Sequence, residues 1–293
     1  QLMSDPDIWL CHQCGDCTTT CPRDVKPGDV LAAVRQITWM NFSRPRFLAN
    51  WLSSPKYLPL IILLPALIIA GIISLAGTFT IPEGPVNYSE FFPHGWLNGS
   101  FSVLVLLMIV INWFGIRKFS KNLTSHEGRE QTGFIKALKE ILLHSRFGKC
   151  DQNKSRMLAH LLVFGGFALL LLVTAFAILA VVIKQYPMDF WHPVKVIGNL
   201  AGAAMMVGLI MMAVNRFRDK KSQTRQYSDW FFIVSMFLLA LSGILVEAAR
   251  FGEWPIAYHL YFIHLVLVWQ IIFYLPYSKF SHMIYRLIVL LKT

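Results

Sequence analysis

Long apolar stretches dominate the chain from residue 57 onward. Six of them hold few charged side chains and are each about 20 residues or longer: 57–79, 99–119, 158–183, 194–214, 230–249 and 258–276. A helix needs about 20 apolar residues to cross the hydrocarbon core of a bilayer. The first stretch follows a polar segment instead of opening the chain, which argues against a secretory signal peptide. The pattern predicts an all-α membrane protein with six transmembrane helices in a domain at 57–293, behind a polar N-terminal domain and linker at 1–56.

Outside the spans, the pattern predicts three shorter features. Residues 29–38 are typical of a short helix and residues 41–55 of a linker. In the long loop after the second span, apolar side chains recur at helical spacing between charged ones: Phe134, Ile135, Leu138, Ile141 and Leu142. Such an amphipathic pattern is typical of a helix that lies on a membrane surface.

Composition and charge support a multi-pass protein and indicate its orientation. Hydrophobic residues make up 55% and charged residues 15% of the chain, which is too apolar for an ordinary soluble protein. The loops after the second and fourth spans are rich in Lys and Arg, whereas loop 81–98 has neither. Basic loops stay in the cytoplasm, so both termini are expected there, with the spans in a prokaryotic cytoplasmic (inner) membrane. This topology and the lipid bilayer account for the net charge of +11, so no nucleic-acid partner is expected.

The polar N-terminal segment carries one dense cysteine motif. Cys11, Cys14, Cys17 and Cys21 follow the spacing C-x2-C-x2-C-x3-C, and Pro22 follows the last of them. This is the bacterial iron–sulfur pattern, in which short spacers let thiolates bind one cubane cluster. Zinc sites instead pair C-x2-C with a distant second pair, and disulfides between cysteines this close would be strained. The motif therefore predicts a [4Fe–4S] cluster in a small ferredoxin-like domain, and electron transfer as the function.

The fourth cysteine raises the question of a second cluster. In two-cluster ferredoxins the cysteine before proline binds the other cluster. The further cysteine of the chain, Cys150, is far away in sequence. We therefore expect an upstream segment with a matching motif, whose last cysteine completes the cluster begun by Cys11. The alternative is one cluster held by all four local cysteines.

Three histidines in or beside the predicted spans are candidate haem ligands, because an ionisable side chain inside a bilayer is costly and marks function. His160 lies near the start of the third span, His264 in the sixth and His282 just past its end. Eighteen residues separate the last two, which places them roughly 27 Å apart on one face of a straight helix. Such spacing suits two b-type haems stacked across the membrane. Gly165 and Gly166 would let a flat macrocycle approach the third span. The plainer alternative is that each histidine hydrogen-bonds a neighbouring helix.

The sixth span, with His264-Leu-Val-Leu and Pro-Tyr-Ser-Lys-Phe-Ser-His282, resembles the last helix of the gamma-subunit family of respiratory nitrate reductases. That family comprises five-helix, dihaem membrane anchors that oxidise quinol. The third span, Ala-His160-Leu-Leu-Val-Phe-Gly, is similar to that family's second helix, which carries two histidines ten residues apart. Here the second of these positions is Leu170. The resemblance implies that His160 and His282 bind one haem b on the cytoplasmic side, whereas His264 lacks its expected partner.

The cysteine segment, Trp9-Leu-Cys11 through Cys21-Pro-Arg-Asp-Val-Lys-Pro27, resembles the second cluster motif in the iron–sulfur protein HdrC of heterodisulfide reductases. Fused to a cytochrome b similar to HdrE, the membrane protein of those enzymes, it resembles over nearly the whole chain the QmoC family. That family forms the membrane component of the quinone-interacting membrane-bound oxidoreductases. The resemblance implies that menaquinone exchanges electrons with cytoplasmic flavin and iron–sulfur subunits similar to QmoA and QmoB. It further implies that these subunits serve adenylylsulfate reductase in sulfate respiration.

A second haem at His264 needs another ligand from the periplasmic half of the bundle. The candidates are His192, which opens the fourth span, and His94, which precedes the second. In the same half, Lys195 and Glu247 are candidates for hydrogen bonding or proton transfer near menaquinone. The alternative for these two is that they extend toward the interface, as long charged side chains do near helix ends.

Two other functions stay open. One is a related subunit of another respiratory complex, such as a DsrM-like, heterodisulfide-reductase-type or methanophenazine-linked cytochrome b, although those typically carry their clusters on a separate chain. The other is a non-catalytic membrane anchor or redox sensor whose histidines bind no haem. A b-type absorption band in the purified protein distinguishes the redox hypothesis from the anchor.

We expect Cys14→Ser to remove an entire four-iron cluster, because three local thiolates are too few to hold it. Iron and acid-labile sulfide, measured on the full-length protein, should fall by about four atoms each. Cys150→Ser is the control, since that cysteine lies outside the motif. Unchanged iron in Cys14→Ser would contradict the cluster assignment.

Overall fold

The computed structural model describes residues 2–12, 17, 20–23, 25–124, 132–143, 154–183, 187–218 and 227–292. Within these ranges the regular elements are helices and no strand occurs. The all-α prediction is therefore confirmed for the part of the chain that the structure describes.

The α-helices follow one another with short links. In chain order they are α1 (Asp7–Leu10), α2 (Pro27–Phe42), α3 (Arg46–Trp51), α4 (Leu58–Leu75), α5 (Tyr88–Phe91), α6 (His94–Asn122), α7 (Phe134–Leu143), α8 (Lys154–Val182), α9 (Pro193–Arg218), α10 (Tyr227–Phe251), α11 (Ala257–Tyr274) and α12 (Ser281–Lys292). Short 3-10 turns precede α4 at Pro55–Tyr57 and follow α11 at Leu275–Tyr277.

The six predicted spans are confirmed. Helices long and apolar enough to cross a membrane run over Pro55–Leu75, His94–Asn122, Lys154–Val182, Pro193–Arg218, Tyr227–Phe251 and Ala257–Lys292. Helices suit these apolar stretches because they satisfy every backbone N–H and C=O internally, which lipid cannot do. The second span begins at His94, directly after Pro93, which is five residues before the predicted start at residue 99.

The spans pack in an order that leaves α8 at one edge. α8 packs on α9, α9 on α10, α10 on α11, and α11 also packs on α4 and α6. At one end of the bundle, the Thr124 backbone N–H donates to the Ser4 carbonyl at 3.0 Å and Lys292 Nζ donates to the Ser120 carbonyl at 2.6 Å. We call this end the terminal face, because residues near both ends of the chain lie there.

The other end of the bundle, the opposite face, is closed by hydrogen bonds between two loops. The Val86 N–H donates to Glu253 Oε2 at 2.6 Å, and the Asn87 N–H donates to the Tyr258 hydroxyl at 3.0 Å. The Tyr88 hydroxyl in turn donates to the Val246 carbonyl at 2.7 Å. These bonds fix α5 over the ends of α10 and α11.

Aromatic packing docks the N-terminal segment onto the terminal face. The Trp9 ring stacks on the Tyr285 ring with centroids 4.9 Å apart, and the Phe119 ring meets Tyr285 edge-on at 4.7 Å. The predicted short helix at 29–38 is the longer α2, and the predicted linker at 41–55 contains α3. The predicted surface helix is α7, which packs on α12 and leaves Ile135 71% exposed.

The expectation of one straight helix through His264 and His282 is wrong. α11 ends at Tyr274, and the chain passes through a 3-10 turn before α12 begins at Ser281. Pro276 has no N–H to continue the hydrogen-bond ladder, which ends the helix there. The Ser281 hydroxyl donates to the Pro276 carbonyl at 2.8 Å and satisfies that acceptor. His282 therefore belongs to a separate helix.

Glycines bring α8 and α9 into close contact. A Cβ on Gly166 would lie 2.7 Å from the Ala201 carbonyl oxygen, and a Cβ on Gly208 would lie 2.8 Å from the Ala159 carbonyl oxygen. Small residues at such crossings let membrane helices pack backbone to backbone. Gly166 thus serves the contact with α9, whereas a Cβ on Gly165 would meet no described heavy atom within 4 Å.

We expect Gly166→Ala to destabilise the protein by about 1–3 kcal/mol, because the added methyl group forces α8 and α9 apart. The matched control is Gly71→Ala in α4, where the new Cβ meets no described atom within 4 Å. That control should be neutral or more stable by up to about 1 kcal/mol, since alanine favours helix. Apparent unfolding temperatures in detergent measure both. Equal temperatures for the two variants would contradict the packing role of Gly166.

Candidate functional site

The rings of His160 and His282 face each other at the terminal face of the bundle. Their centroids are 6.4 Å apart with an angle of 54° between the ring planes. Two imidazoles that bind one iron from opposite sides at about 2 Å each place their centroids roughly 6 Å apart. The separation of the two rings is therefore compatible with one shared haem, and the pair brings together residues separated by more than a third of the chain.

A backbone hydrogen bond sets the tautomer of His282. Its Nδ1 lies within hydrogen-bond distance of the Lys279 carbonyl. A carbonyl can only accept, so Nδ1 carries the proton and Nε2 keeps its lone pair. This is the usual support for a metal-binding histidine, whose second nitrogen donates to a backbone carbonyl.

Aromatic side chains form an apolar wall beside the pair. The Phe280 ring lies between Phe167 of α8 and Phe232 of α10, with centroids at 5.1 Å and 4.9 Å. Gly165, five residues after His160, borders open space among the described residues. Of the two glycines expected to admit a macrocycle, only Gly165 remains available for that, because Gly166 packs on α9.

His264 has a support of the same kind on α10. Its Nδ1 lies 2.9 Å from the Ser242 hydroxyl, and that hydroxyl donates its one hydrogen to the Leu239 carbonyl at 3.0 Å. Nδ1–H must then donate to Ser242, which leaves Nε2 of His264 free to bind a metal. A Cβ on Gly243 would lie 3.3 Å from the His264 ring, so the glycine makes room for that ring.

The expected partners of His264 lie at helix starts on the opposite face. Nδ1 of His192 accepts a hydrogen bond from the Val194 N–H at 3.3 Å and so helps to cap α9. His94 is the first residue of α6. His264 lies seven residues inside α11, roughly 10 Å deeper along a helix axis. The pairing of His264 with either histidine stays a prediction.

Lys195 and Glu247 come together near the opposite face. Lys195 Nζ lies 3.3 Å from Glu247 Oε1 and 4.5 Å from the centroid of the Phe251 ring. Both side chains are largely buried, at 12% and 17% exposure. The two candidates thus form one ion pair, and their role near a quinone stays a prediction.

The cysteine motif is described only in part. Cys11 and Cys21 are partly buried and Cys17 is exposed, whereas Cys14 and Cys150 lie outside the described residues. Among the residues that are described, no three His, Cys, Asp or Glu side chains form a group that could hold a metal ion. The iron–sulfur assignment therefore rests on the cysteine spacing.

Two arginines that the motif analysis did not single out hold the residues around Cys11. Arg35 of α2 donates from Nε to the Ile8 carbonyl at 2.6 Å and from Nη2 to the Cys11 carbonyl at 2.5 Å. Burial lowers the pKa of Arg35 from its ordinary value, and the neighbouring Cys11 opposes that shift. Arg286 of α12 lies 2.9 Å from a ring nitrogen of His12. In the sequence, Arg286 lies one helical turn after His282, and this spacing was the available signal that the two side chains share one face of a helix.

A buried carboxylate holds the segment before His282. Arg216 Nη1 lies 2.6 Å from Oδ2 of Asp229, and Lys279 forms an ion pair with the other oxygen of Asp229. The Asp229 side chain is only 7% exposed. Helices α9 and α10 and the turn before α12 are therefore joined by one charge cluster.

Comparison with known proteins identifies the family. The chain belongs to the CitB family, described as citrate utilization protein B, whose family model matches residues 53–293. The match covers all six spans and both helices that carry His160 and His282. No curated protein and no solved structure matches the chain.

We expect His282→Ala and His160→Ala to remove the same haem, because each leaves the iron with one of its two axial ligands. A haem at His264 should remain visible, since that ring lies on α11, which carries neither His160 nor His282. His259→Ala is the control, because His259 is an exposed histidine at the start of α11. Haem content and reduced-minus-oxidised spectra of the purified variants measure the outcome. Full haem content in both variants would show that the pair is not a ligand set.

Proposed function

We propose that this member of the CitB family is the membrane subunit of a respiratory redox complex. It moves electrons between menaquinol and cytoplasmic flavin or iron–sulfur subunits through haem b. One observation carries the proposal: α12 holds His282 opposite His160, and within the next turn it contacts residues on both sides of Cys11. The candidate haem and the candidate cluster would thus be neighbours.

The contacts between α12 and the cysteine segment support this arrangement. Tyr285, three residues after His282, stacks on Trp9, two residues before Cys11. Arg286 contacts His12, one residue after Cys11. A single short helix therefore carries a candidate haem ligand and contacts the start of the cysteine motif, so the path for an electron between the two cofactors would be short.

The chain's own residues orient the two cofactor sites. The haem iron and the iron–sulfur cluster, when bound, supply one-electron redox chemistry. His160 and His282 would hold the haem, with the Lys279 carbonyl fixing the tautomer of His282. Arg35 binds two carbonyls of the segment that ends at Cys11, so it holds that backbone in one geometry.

The distribution of charge supports a cytoplasmic location for the terminal face. Basic side chains concentrate where α6, α8 and α9 reach that face: Arg117, Lys118, Lys121, Lys154, Arg156, Arg216 and Arg218. Positively charged loops stay on the cytoplasmic side of a bacterial membrane. The cysteine motif would then lie in the reducing compartment, where thiolates are available to bind iron.

Two kinds of soluble partner are candidates for exchanging electrons with this membrane subunit. The resemblance to QmoC favours flavin and iron–sulfur subunits that serve adenylylsulfate reductase. The family description, citrate utilization protein B, favours instead a soluble partner that takes part in citrate utilization. Affinity purification of the intact complex distinguishes them by whether the co-purified flavoprotein is reduced by a carboxylate substrate or serves adenylylsulfate reductase.

We expect menadiol, a soluble menaquinol analogue, to reduce a b-type absorption band in the purified parent protein. The His282→Ala variant should lose at least most of this reduction, because the haem held with His160 is absent. His259→Ala is again the control. A parent protein with no b-type band would refute the redox function and leave the non-catalytic anchor.

A further inference from the structure

An open cleft lies at the terminal face. It lies between α2, α3, α10 and the end of α11, and its lining includes Lys279 and Phe280. These two residues directly precede the helix of His282. The cleft therefore adjoins the candidate haem site and is far from the Lys195–Glu247 pair at the opposite face.

Four polar residues of the lining come from one face of each of two helices. Ser228 and Ser235 lie two turns apart on α10, and Gln270 and Tyr274 lie one turn apart on α11. Gln270 donates from Nε2 to the Ser235 hydroxyl at 3.3 Å. The exposed fractions of Gln270 and Tyr274 are 3% and 2%, so these groups sit deep in the wall of the cleft.

Two of these groups have no protein partner. Among the described residues, neither the Tyr274 hydroxyl nor the Ser228 hydroxyl finds a hydrogen-bond partner. Buried polar groups are nearly always hydrogen-bonded, because leaving them unpaired is costly. A hydroxyl that lines a cleft and has no protein partner is expected where a bound ligand supplies the missing hydrogen-bond partner.

The chemistry of the lining selects the class of ligand. Trp39, Phe231 and Phe232 supply flat apolar surface, whereas the polar side chains other than Lys279 are neutral hydroxyls and the amides of Gln36 and Gln270. A free carboxylate would call for an unpaired cation, and the lysine of this cleft, Lys279, already pairs with Asp229. A planar, neutral molecule with carbonyl acceptors and an apolar tail fits these walls.

We propose that this cleft binds the head group of a membrane quinone, with the Tyr274 hydroxyl and the Gln270 amide as donors to its carbonyl oxygens. The inference rests on the proposed function and adds the place of the quinone. The head group would lie beside Phe280, whose ring contacts both Phe167 and Phe232. The quinone and the His160–His282 pair would then share one wall.

The test is direct binding of a fluorescent quinone analogue, 2-heptyl-4-hydroxyquinoline N-oxide, to the purified full chain in detergent. Tyr274→Phe and Gln270→Leu should each weaken binding about five- to tenfold, since each removes one hydrogen bond. The matched control is Tyr88→Phe, which removes a buried tyrosine hydroxyl at the opposite face. Haem content of every variant is measured in parallel, and it should equal that of the parent.

The outcomes separate this inference from the proposed function. Weakened binding in the two cleft variants, with parental affinity in Tyr88→Phe and unchanged haem, supports the quinone site. Parental affinity in both cleft variants, or no binding by a parent protein that has a menadiol-reducible b-type band, overturns the site and leaves the redox function standing. A parent protein without that band refutes the redox function itself. If Gln270→Leu loses haem, the affinity of Tyr274→Phe alone decides whether the cleft is the quinone site. That variant keeps the aromatic ring and removes only one oxygen.

Discussion

The interruption between α11 and α12 is the constraint on which the candidate site depends. Pro276 cannot continue the hydrogen-bond ladder of α11, so the chain turns and starts a new helix at Ser281. The new direction presents His282 to His160 and, one turn later, Tyr285 to Trp9. The carbonyls released by the turn are not left unpaired, since serine hydroxyls and the ring of His282 bind them. One proline thus determines both the orientation of a candidate axial ligand and the surface on which the cysteine segment docks.

A buried cluster of charged side chains stabilises the turn between α11 and α12. Asp229 is almost fully buried and pairs with both Arg216 and Lys279. Neither ion pair would be worth much at a solvated surface, but inside a protein the loss of one member leaves the others uncompensated. The cluster therefore ties the turn before His282 to the ends of α9 and α10. Its position also explains why Lys279 offers only its backbone carbonyl to His282.

The sequence predicts the spans well because bilayer thickness imposes a length and a hydrophobicity that can be counted directly. It also predicts the His160–His282 pair, since equal depth in the membrane follows from helix direction. The sequence-based prediction fails at the turn after Tyr274. The eighteen-residue spacing of His264 and His282 agrees with one straight helix as well as with two helices joined by a turn. The roles of Arg35 and Asp229 were not predictable, because each acts through a contact between separate segments of the chain. Ser242 is similar: a serine in a span has no signature until the ring of His264 is placed beside it.

The edge position of α8 has a consequence for assembly. Among the described helices, α8 packs extensively only on α9, and just 11% of its most apolar stretch is buried. It meets the rest of the bundle near α12 mainly through His160 and Phe167. Under the proposed ligation, the iron would be the strongest bond between α8 and the helices other than α9. Insertion of the cofactor would then act as a folding step, and a cell short of haem would hold a loosened α8 open to membrane proteases.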